Sequence, residues 1–412
     1  MLEKLNMMVA LPGILLLAAA SLLVVVDALS RGRPGISVDR LALAAIVLPF
    51  VVLISRIGDA PSTGFSGMVI SDDFGNLLKI CACVAVAATI IYARAYGMDR
   101  GLHRGEFYTL SLFALLGQLV MMSAHNMLVI YMGLELMSLS LYALAALRRD
   151  SAESTEAALK YFVLGALASG FLLYGMSMLY GGAGSLSIDV IAASLADSSR
   201  DHTVLILGSV FVVAGLAFKF GAVPFHMWVP DVYQGTANSV TLLIAGAPKL
   251  AAFAIAFRLL AEGLLPIAQH WQMMLIVLAV GSLVIGNLVA IAQTNFKRMI
   301  AYSTIAQIGF VFLGLLAGVD DRGADGAASA YGASMFYVIT YVLTTLGTLG
   351  TILLLARKGF ECQEIDDLRG LNQRSPWMAF VMLILMFSLT GIPPTVGFFA
   401  KLAVLSAAVD AG

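Results

Sequence analysis

Apolar runs of about 20 residues alternate with short polar connections along the whole chain. They fall near residues 8–27, 41–55, 74–93, 107–124, 127–147, 158–180, 203–222, 238–261, 271–293, 299–317, 329–356 and 377–410. A helix of that length crosses a hydrocarbon core of about 30 Å and satisfies its own backbone hydrogen bonds, which lipid cannot do for it. The pattern predicts an all-α polytopic membrane protein of about twelve spans. Two runs carry breakers. The seventh leads straight into Pro224 and Pro230, and the last is interrupted by Gly391-Ile392-Pro393-Pro394, so both are expected to be broken helices lining a hydrated cavity. Two breaks five spans apart suggest two related half-units. The first run, Met8 to Val26, is too long for a signal h-region and lacks a clear cleavage site, so it is expected to remain as a span.

Composition agrees with the pattern: 60% of the residues are hydrophobic and only 12% charged. A formal net charge of -1 gives no basic surface for nucleic acid. The three cysteines, Cys81, Cys83 and Cys362, lack metal-ligand spacing and read as packing residues. The charges bear on topology. Of the 24 Lys and Arg, fourteen fall in odd-numbered connections and four, Arg56, Arg200, Arg258 and Arg322, in even ones. The positive-inside rule then puts the N-terminus outside the cytoplasm.

Lys4 precedes the first span, and Lys79, Lys160, Lys219, Lys249 and Lys401 sit at or inside apolar runs, as does Glu135 in the middle of the fifth. A charge at the centre of a membrane helix costs about 2.5–3.5 kcal/mol on insertion scales, so several of them point to function rather than architecture. Lys219 lies five residues before Pro224, Lys249 follows Pro248, and Lys401 follows the second break. A carboxylate approaching a buried lysine holds its proton, and withdrawing releases it. At 4 Å and an effective dielectric near 20 such a pair interacts by about 4 kcal/mol, while moving one proton against 100 mV takes roughly 2.3 kcal/mol. The magnitudes suit a proton path. Lys79 reads as a snorkelling or structural charge, and Lys160 as either a helix-end charge or the start of a path. His226, beside the first break, reads equally as a relay or an interface anchor. His125 is mainly a surface candidate, and His103, His202 and His270 read as ordinary loop residues.

Longer motifs add a resemblance. The segments GLELMSLSLYALAA at 133–146, FKFGAVPFHMWVPDVYQG at 218–235, APKLAAF at 247–253, QTNFKRMIAYSTIAQIGF at 293–310 and GIPPTVGFFAKL at 391–402 resemble the antiporter-like membrane subunits of respiratory complex I, and bacterial subunit N in particular. The resemblance implies a pair formed by Glu135 and Lys219, a central relay at Lys249, a terminal lysine at Lys401 and an accessory role for Lys160. It implies two inverted helix-bundle repeats, which divide the chain into N-terminal helices at 1–106, a first half-unit at 107–262 and a second at 263–412 that stops short of the fourteen spans usual in the family. It places NADH, FMN, the iron–sulfur clusters and quinone in other subunits, with none of these cofactors in this chain. Its partners would be the other membrane subunits, including sister antiporter-like ones, in the lipid bilayer of a bacterial inner membrane, with the N-terminus periplasmic.

The expected function is proton translocation coupled to quinone reduction elsewhere in the complex. A stand-alone cation/proton antiporter shares the buried Glu/Lys pattern, and a scaffold would use the same charges only to lock helices together.

Overall fold

A computed structural model describes residues 5–29, 37–197, 201–319 and 323–412, so Lys4, Arg31, Arg33, Arg200 and Arg322 lie outside the described residues. The described residues form a bundle of helices, apart from one hairpin of β1 (Ser62–Gly64) and β2 (Val69–Ser71). Ten helices among the described residues are long and apolar enough to cross a membrane.

The N-terminal helices α1 (Leu11–Leu29), α2 (Val38–Ile54) and α3 (Asp73–Arg100) lead into α4 (Gly105–Ser123), α5 (Met127–Ala145) and α6 (Ala152–Ala183). A short α7 (Ile188–Ala196) precedes α8 (Thr203–Phe220). Then α8 stops and α9 (Trp228–Gly235) continues the crossing, which is the break expected at Pro224. The next crossing is broken too, at Gly246, into α10 (Asn238–Ala245) and α11 (Pro248–Ala256), and it ends in a π-helical turn at Phe257–Gly263. Two uninterrupted helices and one of 33 residues follow: α12 (Ala268–Ile291), α13 (Phe296–Ala317) and α14 (Gly323–Leu355). After the short α15 (Leu371–Arg374), the second expected break separates α16 (Pro376–Thr390) from α17 (Val396–Ala411).

Burial tells which helices lie at the rim of the bundle. Every residue of α10 and α11 is buried, whereas only 22% of the apolar window of α1 and 28% of that of α12 is buried. The central broken crossing is therefore wrapped by protein on all sides, where irregular backbone can survive at membrane depth. Small residues let neighbours close up. A methyl added at Gly175 of α6 would lie 2.7 Å from the Gly208 carbonyl of α8, and one at Gly117 of α4 would lie 2.6 Å from that of Gly133 on α5.

Polar contacts between connections respect two ends of the bundle. Odd connections meet odd ones: Arg100 pairs with Glu361 at 2.8 Å, Arg94 with Asp39 at 3.1 Å, and Asn295 donates to Glu364 at 3.0 Å. Even ones meet even ones: Arg258 pairs with Asp72 at 2.6 Å and His125 with Asp189 at 2.8 Å, while Arg56 donates to the Met8 carbonyl. This segregation is what an alternating set of crossings requires.

Arg258 is not a loop residue as hydropathy suggested. It is 2% exposed on the π-helical turn and held between Asp72 and Glu262. Nor does Lys79 snorkel: it is 2% exposed, and its Nζ donates to Asn76 Oδ1 at 3.2 Å, an amide one turn away that satisfies it inside the bundle. Cys83 and Cys362 are buried, as packing residues should be, and Cys81 is partly buried.

Candidate functional site

The two outer breaks are built alike. At the first, α8 ends in Gly221 with φ +76°, the Gly221 amide donates to the Phe218 carbonyl at 2.9 Å, and the Ala222 amide to that of Ala217 at 2.8 Å. At the second, α16 ends in Gly391 with φ +87°, the Gly391 amide donates to Ser388 at 3.2 Å, and the Ile392 amide to Phe387 at 2.9 Å. Both are left-handed glycine caps, which tie up the carbonyls three and four places before the glycine and leave the last two helical carbonyls free.

Lysines take those carbonyls. Lys249 Nζ donates to the Phe220 carbonyl at 2.7 Å and to that of Lys219 at 3.3 Å. Lys401 Nζ donates to the Leu389 and Thr390 carbonyls, both at 3.0 Å. Each ammonium thus sits on the negative end of a half-helix, where the dipole favours a cation. Lys249 is 1% exposed and also lies 5.4 Å from the centre of the Trp228 ring.

Lys219 points the other way. Its Nζ donates to Ser138 Oγ at 2.9 Å, on α5 one turn beyond Glu135. Glu135 itself makes no ion pair with Lys219, and its Oε1 is buried without a hydrogen-bond partner. A buried carboxylate oxygen left open in this way is a place for a water or for a moving cation.

Around Lys401 the second break holds a polar patch. Gln307 Nε2 shares the Leu389 carbonyl at 2.9 Å, Tyr337 donates to Gln307 Oε1, and Tyr341 donates to Thr304 Oγ1 at 2.8 Å. Gln307, Tyr337, Tyr341, Ser388 and Lys401 line a cavity of 10 Å³, about the room one water needs.

The accessory candidates stand apart. Lys160, 43% exposed along its side chain, bonds Asp231 Oδ2 and Glu156 Oε1, both at 2.8 Å, and Arg298 takes the other Asp231 oxygen at 2.8 Å. This ion cluster ties the start of α6 to α9 and α13. His226 is partly buried in the turn after α8, with Nδ1 buried and unpartnered.

Hydropathy missed one buried lysine. Lys297 was counted with the loops because its run begins at residue 299, but α13 starts at Phe296 and leaves Lys297 1% exposed, donating to the Thr236 carbonyl at 2.7 Å. The break at Gly246 was missed as well, although Gly246-Ala247-Pro248 carries the same kind of breaker as the other two.

Half-helices capped by a buried lysine and a partly buried one, within a bundle of membrane-length helices, define a membrane ion-translocation protein of the antiporter-like class. Residues 124–412 match the family described as NADH:quinone oxidoreductase/Mrp antiporter, TM. The chain is 58% identical to NADH-quinone oxidoreductase subunit N of Herminiimonas arsenicoxydans over all of its own length and 84% of the relative's, and 57% identical to that of Polaromonas naphthalenivorans over all of its length and 83% of the relative's. It superposes on a chain of respiratory complex I from Thermus thermophilus with TM-score 0.80 and 33% identity, covering 97% of this chain and 83% of that one. A chain of the Mrp complex from a Dietzia species shares the fold, with TM-score 0.82 at 22% identity over 99% of this chain and 76% of that one. The chain belongs to the subunit N family of NADH-quinone oxidoreductases. It is an antiporter-like membrane subunit of a proton-translocating enzyme complex and works beside other membrane subunits.

Proposed function

We propose that the chain carries protons along Glu135, Lys219, Lys249 and Lys401, with Lys160 and His226 as accessories, and that quinone reduction in other subunits drives the transfer. The observation that supports this most is the pair of lysine-capped helix ends. Lys249 and Lys401 rest on neutral carbonyls, so either lysine can lose its proton without stranding a buried carboxylate, the expensive outcome for an ion pair. A neutral amine still donates to the same oxygens. The capped state therefore holds the carrier in place through both protonation states.

Lys219 joins the two arms: its own carbonyl accepts from Lys249 and its ammonium donates to Ser138. In this reading Glu135 is the open acceptor, and a rotation of the Lys219 side chain from Ser138 towards it makes the pair. Residues 107–262 and 263–412 act as the two half-units, each organised round one capped break, and residues 1–106 flank them. The chain itself holds none of NADH, FMN, iron–sulfur clusters or quinone, which act in other subunits. The arginine-rich end of the bundle faces the cytoplasm and the N-terminus faces the periplasm of the bacterial inner membrane.

Replacing Lys219 by Ala in the assembled complex tests the path. Pumping and coupled oxidoreductase turnover should both fall while assembly is retained. Parental rates of both pumping and coupled turnover in the assembled variant would overturn the proposal.

A further inference from the structure

A cleft of 440 Å³ opens at the end of the bundle that carries the odd-numbered connections. It is lined by Arg100, Arg104, Arg148 and Arg149, with Leu102 and Leu147 among its walls and with Asp150 and Glu361 as its acids. The arginines differ in how far they are already engaged. Arg100 is committed: its Nε pairs with Glu361 at 2.8 Å and its Nη2 donates to the carbonyls of Arg357 and Phe360 at 2.8 and 3.1 Å. Glu361 is spent in turn, since Oε2 also accepts from Tyr96 at 2.9 Å. Arg104 gives only Nε, to the Gly101 carbonyl at 3.1 Å. Arg149 faces Glu106 loosely, at 3.6 Å with the arginine side chain 72% exposed. Arg148 takes no side-chain partner among the described residues. The cleft therefore keeps an excess of unpaired guanidinium groups, whose planar forks suit phosphate oxygens.

Its depth narrows the ligand. The walls are the C-terminal end of α3, the segment after α5 and the residues that begin α6, all ends of membrane-length helices, so the cleft lies at headgroup level. Two turns further along α6 the surface becomes apolar, with Leu159 61%, Phe162 48% and Val163 53% exposed. An acyl chain can lie there.

We propose that this cleft binds the phosphodiester headgroup of an anionic phospholipid. The site is separate from the proton path and does not depend on it. Phosphate is the shared chemistry of a lipid headgroup and a free anion, and the apolar surface beyond the cleft favours the lipid.

The test uses the assembled complex in nanodiscs doped with a photoreactive phosphatidylglycerol. Cross-links should map to peptides 100–104 or 147–151 and be competed by unlabelled phosphatidylglycerol but not by phosphatidylcholine or inorganic phosphate. In Arg148→Gln/Arg149→Gln, the phosphatidylglycerol fraction giving half-maximal cross-linking should rise about 25-fold, from roughly fivefold per arginine. If that double variant does not assemble, Arg104→Gln should give the single fivefold step. Equal competition by inorganic phosphate, an unshifted half-point in an assembled variant, cross-links elsewhere only, or a neighbouring subunit found filling the cleft would each overturn the proposal.

Discussion

Lys249 has two jobs that one substitution can separate. As a cap it satisfies the Phe220 and Lys219 carbonyls, and as a carrier it must be able to lose its proton. Arginine keeps its charge and its donors but does not deprotonate in a protein. Lys249→Arg should therefore leave the thermal stability of the complex within a few degrees of the parent and stop most of the pumping. Lys249→Met removes both functions and orphans two buried carbonyls, at about 1–3 kcal/mol each. Its melting point should fall as well as its pumping, and similar melting points for the two variants would show that the lysine is no cap. Lys160 should behave differently, because its ammonium is shared between two carboxylates at a partly exposed site. A double-mutant cycle of Lys160→Met with Asp231→Asn should give only a weak coupling, because solvent screens the pair. Pumping in the Lys160 single mutant should stay above half the parental rate, whereas a loss as complete as that in Lys219→Ala would move Lys160 onto the main path.

At the scale of elements, the two outer breaks are one device used twice. Each depends on a glycine that takes a left-handed conformation, Gly221 at φ +76° and Gly391 at φ +87°. A side chain there costs about 1–2 kcal/mol, and at Gly391 a methyl would also lie 2.9 Å from Lys401 Cδ. Gly391→Ala should thus disturb both the helix end and the lysine that caps it, lowering stability and pumping together. Alanine at Gly101, which has φ +66° but open space around it, should lower stability with pumping unchanged. Equal pumping in the two variants would show that the second break is not a working part. These breaks were legible in the sequence because proline and glycine punctuate an apolar run. The caps were not, since nothing in the order of residues says that Lys249, 28 places after Gly221, reaches back to it. The same limit explains the open Glu135. Spacing puts a carboxylate and a lysine at similar depth, but only packing decides that Lys219 meets Ser138 first. Lys297 was lost for a simpler reason: hydropathy windows blur helix starts by a few residues, enough to turn a buried charge into a loop one.

For the whole molecule, the arginine asymmetry and the pairing of odd with odd and even with even connections define two ends, and the orientation of those ends is open to direct measurement. The native thiols make this simple. Cys83 is buried within α3, and burial with the neighbouring Asp367 pushes the Cys362 thiol up to about 11, so it offers almost no thiolate at neutral pH despite its loop position. A cysteine placed on the exposed surface should therefore be the dominant target for a membrane-impermeant maleimide. Asp59 and Lys358 are exposed at the even and odd ends respectively. In intact spheroplasts Asp59→Cys should label and Lys358→Cys should not, and permeabilisation should bring Lys358→Cys up to the level of Asp59→Cys. The reverse order would turn the molecule over in the membrane. It would also move the arginine cleft to the opposite leaflet and reverse the direction in which the path from Glu135 to Lys401 has to be read.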